Sequence, residues 1–376
     1  MHPVRVAAAP QYGTATSWRT VNTLPDFPWD RLEPYKERAL AHPDGIVDLS
    51  VGTPVDPVPQ IVQDALTQAA DSPGYPLTHG TKALREAAAG WLRRRHGVTV
   101  DSKDVLPVIG SKEFVAWLPT YLGARRVVFP ELAYPTYDVG ARLAGAHGTA
   151  SDSTLALGPE HVDLIWVNSP GNPTGRVLPA EHLRKVVAWA RERGTVVASD
   201  ECYIELGWEE QPVSILHPDV CGGSHEGLLA VHSLSKRSNL AGYRAGFVTG
   251  DPVLVKRLLE TRKHAGMLMP QPVQAAMTVA LSDDEHAERQ RERYAARREV
   301  LRPALERAGW HIDHSTAGLY FWASNGQSAW DQVGKLSEIG ILVAPGEFYG
   351  SAGGRHVRVA LTGTDERIAA AVRRLQ

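Results

Sequence analysis

Cysteine is nearly absent: Cys202 and Cys221 are the only two in 376 residues. That excludes a disulfide framework, and no Cys-x-x-Cys pair exists for zinc or redox work. Two unreactive thiols in a reducing cytosol are expected. No apolar run reaches the roughly 20 residues of a membrane helix. The opening stretch Met1–Pro10 lacks the apolar core of a signal peptide, so a cytoplasmic location is expected and no membrane partner. Charge of one sign is not in excess either. Lys and Arg total 40 against 42 Asp and Glu, a net charge of −2. Neither a nucleic-acid partner nor a basic one is implied. Metal and nucleotide signatures are missing. No His-Glu-x-x-His occurs among the 15 histidines, and Gly80-Thr81-Lys82 only approaches a phosphate loop, in the wrong order. Gly222–Glu226 misses the nucleophile-elbow pattern at its last position.

What is present is an alternation. Apolar runs bounded by turn residues occur at 105–109, 126–129, 164–168, 195–199, 228–233 and 245–249. Helical patterns lie between most of them, at 81–96, 112–122 and 179–193. Such a pattern predicts an α/β layer with a mostly parallel sheet covered on both faces. Residues 1–45 read as an irregular arm that joins a small domain, with a short helix near Leu32–His42. Residues 46–265 read as the large domain and 266–376 as a smaller α+β domain. In the latter, a long charged helix is expected from Ser282, as N-cap, to Arg307. Strands are expected at 310–312, 318–322 and 357–361.

The chemistry concentrates at the ends of the predicted strands, where α/β sheets place ligands. Asn168-Ser169-Pro170-Gly171-Asn172-Pro173-Thr174-Gly175 fixes a tight loop that aims the Asn172 amide into a crevice. Asp200 closes an apolar strand and is followed by Tyr203. A carboxylate buried there needs a cation or several donors. Lys236 follows another strand in Ser233-Leu234-Ser235-Lys236, with Arg244 close behind. Desolvation and nearby positive charge would lower the pKa of that amine and make it nucleophilic. Ser233 and Arg244 suit a phosphate, as do the free N–H groups where Gly110-Ser111-Lys112 opens a helix.

In order and spacing, Asn172, Asp200, Tyr203, Lys236 and Arg244 resemble the signature of the class I and II aminotransferases. The resemblance extends from Val51-Gly52-Thr53-Pro54 to Arg358 and covers nearly the whole chain. It implies fold type I, pyridoxal 5′-phosphate (PLP) as cofactor, and amino acids and 2-oxo acids as substrates. It further implies that Lys236 carries the cofactor and acts as base, and that Asp200 faces the pyridine nitrogen. Tyr203 and Asn172 would bond the phenolic oxygen, and Tyr134 would stack on the ring. Gly110, Ser111, Lys112, Ser233 and Arg244 would surround the phosphate. Gly52, Asn172 and Arg358 would receive the substrate, Arg358 gripping its α-carboxylate. Tyr75 would cross to the neighbouring subunit's phosphate, which implies a homodimer with shared sites.

Leu24–Asp30 and the segments Ala344–Gly350 and Thr362–Arg367 resemble the actinobacterial N-succinyl-diaminopimelate aminotransferases. That implies a place in diaminopimelate and lysine biosynthesis, with glutamate and 2-oxoglutarate as the second pair. A succinylated substrate needs a further cation, for which Arg19, Arg31, Lys112 and Lys263 are the candidates by position. The alternatives are another amino-acid specificity, a PLP-dependent carbon–sulfur lyase, or an aminotransferase-like sensor domain of a transcription regulator.

Overall fold

The computed structural model describes residues 24–376. Seven strands form the central sheet in the spatial order Val105–Ile109, Ala245–Gly250, Leu228–Ser233, Val196–Asp200, Leu164–Asn168, Arg126–Phe129, His147–Ala150. All neighbours are parallel except Ala245–Gly250, which runs antiparallel to both of its partners. The polar edge strand His147–Ala150 has no apolar run by which the sequence could show it. Successive side chains of the central strands point to opposite faces, and both faces are apolar. Ile165, Val167, Val197, Leu228 and Ala230 pack on one side with the helices Lys82–His96, Ala180–Arg193 and Gln271–Ser282. Leu164, Trp166, Ala198, Leu229 and Val231 pack on the other with Ser111–Leu122, Thr136–Leu143 and Pro252–Ala265.

The smaller unit is built on a four-stranded antiparallel sheet, ordered Ala344–Pro345, Val357–Ala360, Tyr320–Ser324, His311–Asp313. The helices Glu285–Arg307, Ala329–Glu338 and Asp365–Arg374 cover it. Packing shifts both boundaries expected from the sequence. Val47 and Leu49 belong to the small-domain core, and Val47–Asp48 pairs with Ile341–Leu342. Conversely, Gln271–Ser282 belongs to the core of the large domain, where Ala276, Met277, Ala280 and Leu281 are buried.

Ser282 is not a cap. It ends one helix, and its Oγ donates 2.8 Å to the Thr278 carbonyl. The break falls at Asp283, whose side chain accepts from the His286 backbone N–H at 3.0 Å. A charged run offers no apolar period to mark such a break. The short helix of the arm spans Glu33–Leu40, after a tight turn at Pro28–Leu32.

Strand register sets up the site. Asn168 lies opposite Asp200, Ser233 opposite Gly246, and Ile109 opposite Ala245. The polar residues that close these strands are therefore delivered to one edge of the sheet.

Candidate active site

That edge opens into a cavity of about 890 Å³ between the sheet and the smaller unit. Of the residues singled out from the sequence, Lys236, Asp200, Tyr203, Ser111, Lys112, Tyr134, Asn172, Ser233, Arg244, Gly52 and Arg358 line it. Gly110 stands directly beside it. A Cβ at Gly110 would lie 2.3 Å from Arg244 Nη2, and its φ of +75° disfavours any side chain. Arg244 itself adopts φ +56°, and its Nη1 donates to the Ala241 carbonyl at 2.8 Å.

Asp200 is 7% exposed at the last position of its strand. Its Oδ2 accepts from the Tyr137 hydroxyl at 2.8 Å and its Oδ1 from the Cys202 backbone N–H at 3.2 Å. Among the described residues no cation faces it. Burial pushes its carboxyl above the usual range, against those hydrogen bonds. Such a carboxylate calls for a positive charge from outside the chain. Tyr137 is fully buried and stacks on Trp166 at 5.1 Å, which fixes the hydroxyl under the carboxylate.

Lys236 is half-buried, and desolvation lowers its pKa; Arg358 and Arg244 add to the lowering, while Tyr320 and Cys202 oppose it. The shift favours the neutral, nucleophilic form of the amine. Its loop is held by the Tyr294 hydroxyl, which donates to the Lys236 carbonyl at 3.3 Å. The next residue, Arg237, is ion-paired with the buried Glu205. The N–H groups opening the helix at Ser111, the hydroxyls of Ser233 and Ser235, and Arg244 line the same cavity as Lys236. Helix N-terminus, hydroxyls and guanidinium together suit a phosphate.

Arg358 is 3% exposed. Its Nη1 donates to Asn172 Oδ1 at 3.0 Å and its Nη2 to the Ser50 carbonyl at 2.7 Å. The guanidinium carbon lies 4.0 Å from the Tyr320 ring centroid. The Tyr320 and Tyr203 hydroxyls are 3.0 Å apart, and burial holds the Tyr203 phenol well above its ordinary pKa. Gly52 makes room for this pair: a Cβ there would sit 2.0 Å from the Tyr320 hydroxyl.

The class I and II aminotransferase family model matches residues 44–375. The chain belongs to this family. The aminotransferase is 63% identical over 355 residues to 4-dedimethylamino-4-oxo-anhydrotetracycline transaminase OxyQ of Streptomyces rimosus, covering 94% of this chain and 99% of that protein. It is 60% identical over 375 residues to the probable aminotransferase Rv1178 of Mycobacterium tuberculosis, covering 99% and 88%. A solved structure from Thermus thermophilus, titled a probable N-succinyldiaminopimelate aminotransferase, superposes with a TM-score of 0.83. It shares 28% identity and covers 93% of this chain and 99% of that one.

Aminotransferases of this family depend on PLP, and the cavity fits it. The buried, cation-less Asp200 suits a protonated pyridine nitrogen, and the group around Arg244 suits a phosphate. Other residues singled out from the sequence do not converge in this way. Tyr75 is 96% exposed and lies outside the cavity of its own chain. Arg31 pairs with Glu347 and covers the Trp330 ring, while Lys263 pairs with Glu260 on an exposed helix face. Neither lines the cavity of its own chain. Arg19 lies outside the described residues. Lys112 does line it, with Nζ 5.7 Å from the Phe27 ring and 5.9 Å from the Tyr134 ring. His232 is buried between Trp91 and Phe247, a packing role.

Cys202 is less bland than its sequence suggests. It lines the cavity, and its Sγ donates to Ser111 Oγ at 3.2 Å. Burial, with the Asp200 charge, drives its thiol pKa far up, so it is no nucleophile. Sequence reasoning also missed Tyr137 and Tyr320. The first lies three residues after Tyr134, in the first turn of the helix Thr136–Leu143. Tyr320 lies inside an apolar strand and gave no signal.

Replacing Tyr137 with Phe removes a hydrogen bond that favours ionised Asp200. The Asp200 pKa should then rise further, so activity is lost at a higher pH as the medium is acidified. The acid limb of the kcat/KM profile should move up; an unmoved limb would show that Tyr137 does not tune Asp200.

Proposed function

We propose that this aminotransferase exchanges an amino group between N-succinyl-L,L-2,6-diaminopimelate and 2-oxoglutarate or glutamate, in diaminopimelate and lysine biosynthesis. The observation that carries this reading is the pairing of Arg358 with Lys112. Both are cations that line the one cavity, and neither has a carboxylate partner among the described residues. An acylated diamino diacid brings an α-carboxylate for the first and a distal carboxylate for the second. The name of the Thermus structure supports the same substrate class.

In this reading Lys236 holds the cofactor through Nζ, and Asp200 keeps its pyridine nitrogen protonated. Bound PLP supplies the carbonyl that takes up the amino group and a ring that accepts electron density. Lys236 Nζ would take the proton from the substrate Cα and return it to the carbonyl carbon of the cofactor. Tyr203 and Asn172 would hold the ring through its phenolic oxygen, and Tyr134 would stack on it. Gly110, Ser111, Ser233 and Arg244 hold the phosphate. Tyr75, exposed beside the exposed Leu77, reaches the site of a second copy in a homodimer. No helix among the described residues is long and apolar enough to cross a membrane, and the proposed setting is the cytoplasm.

The identity with OxyQ and the apolar segment Leu24–Trp29 on the cavity wall favour a second reading, a polycyclic ketone as amino acceptor. Such a ring system brings no α-carboxylate to Arg358. Steady-state assays of wild type and Lys112→Met separate the two. The variant should raise KM for N-succinyl-L,L-diaminopimelate roughly tenfold, about 1.4 kcal/mol, and leave alanine unaffected. Equal KM values in the two proteins would remove Lys112 from the reading. Release of ammonia and pyruvate from cystathionine would point to a lyase instead.

A further inference from the structure

Arg262, near the end of the helix Pro252–Ala265, is a charged residue with no exposure at all. Its Nη1 donates to Glu113 Oε1 at 2.8 Å and its Nη2 to Oε2 at 3.1 Å, a bidentate fork. Among the described residues it meets no other carboxylate. Glu113 is the third residue of the helix Ser111–Leu122, whose first residue lines the cavity. Neither Glu113 nor Arg262 lines the cavity itself. A buried ion pair adds little to stability, since apolar side chains of the same volume often do as well. The place of this pair in the fold therefore has another cause.

A glutamate at the third helical position usually turns back to the N–H of the N-cap residue. Here that N–H, of Gly110, donates to the Val108 carbonyl at 2.7 Å. Glu113 Oε2 reaches one residue further and accepts from the Ile109 N–H at 3.3 Å. Ile109 ends the edge strand of the sheet, where one side of the backbone has no strand partner. The carboxylate thus ties strand end to helix start across Gly110. Gly110 brings no side chain to cap the helix, and the first helical bond runs from Phe114 N to the Gly110 carbonyl at 3.5 Å. The N–H groups of Ser111, Lys112 and Glu113 are therefore left without a helical acceptor. A helix start of this kind is worth about half a positive charge. One unpaired carboxylate in the same turn would outweigh it, and the fork from Arg262 cancels that carboxylate.

We propose that Glu113 and Arg262 are positioning residues for the cofactor phosphate: Glu113 holds the turn that presents the free N–H groups, and Arg262 neutralises Glu113 so that those groups keep their pull on an anion. The proposal rests on the reading of Ser111 and Arg244 as phosphate residues given above. Arg262 acts through Glu113, from outside the cavity.

The full-length chain, freed of cofactor, is titrated with PLP and with pyridoxal, which lacks the phosphate, and the visible band reads binding. Arg262→Gln leaves the Glu113 charge unpaired. It should raise Kd for PLP roughly tenfold and leave Kd for pyridoxal within about twofold. A double variant that adds Glu113→Gln carries neither charge and keeps an acceptor for Ile109. It should bind PLP within about threefold of wild type. Arg244→Gln is the control for the phosphate site, and thermal melting shows that each variant folds. Equal weakening for PLP and pyridoxal would show a packing role only and overturn the proposal. A double variant as weak for PLP as Arg262→Gln would overturn it too. Unchanged PLP affinity in Arg262→Gln, with Kd raised in Arg244→Gln, would overturn it and leave the phosphate site standing. Unchanged affinity in both would remove both. Where Arg262→Gln does not fold, the double variant decides alone, and PLP binding about tenfold below wild type overturns the proposal.

Discussion

Lys236→Ala should lose transamination by about four orders of magnitude or more while the fold persists. The size follows from what the residue does twice. In the proposed reading it holds the cofactor through Nζ, and it is an amine on the cavity wall whose pKa burial lowers, which suits it to take a proton. General acid–base catalysis by one side chain is worth about 10²–10⁴-fold, and losing the nucleophile adds to that. The fold should survive, because Lys236 lies in a four-residue turn and its loop is held by Tyr294 and Arg237 and not by its own amine. Steady-state turnover with a melting curve checks this. Turnover within tenfold of wild type would mean that another group performs the chemistry.

Asp200→Asn should lower kcat by about 10²–10³-fold, the scale on which a preorganised charge acts in a water-excluded site. The substitution keeps shape and most hydrogen bonding. It removes the negative charge that a pyridine nitrogen needs to stay protonated. The effect should exceed that of Tyr137→Phe, since the latter only shifts the carboxyl. A near-normal kcat in Asp200→Asn would show that the ring nitrogen is neutral during turnover.

Much of the site was legible because it breaks local rules. Asp200, Ser233 and Asn168 are polar ends on apolar strands, and the sheet register gathers them at one edge. Lys236 and Arg244 stood out in a loop of small residues for the same reason. Arg358 is a charge inside an otherwise apolar strand, and it is buried. The rest was hidden by chemistry that sequence patterns share. Tyr137 and Tyr320 read as ordinary core aromatics, and only the three-dimensional structure shows where their hydroxyls go. Trp29 sits in a proline-rich arm with no period at all, yet it reaches the cavity. The domain boundaries slipped because Val47–Asp48 pairs with Ile341–Leu342 of the smaller unit, while Gln271–Ser282 packs in the core of the large one. Of the three described cations considered for the distal end of the substrate, only Lys112 lines the cavity, at a helix start.

The sharpest check is single-turnover absorption of the purified, PLP-loaded protein. N-succinyl-L,L-diaminopimelate is mixed with enzyme in the absence of an acceptor, with aspartate, alanine and cystathionine run beside it. The visible cofactor band should be lost with the succinylated donor, faster than with the others, and should return on adding 2-oxoglutarate. A band that ignores the succinylated donor and answers to another amino acid would contradict the proposed substrate.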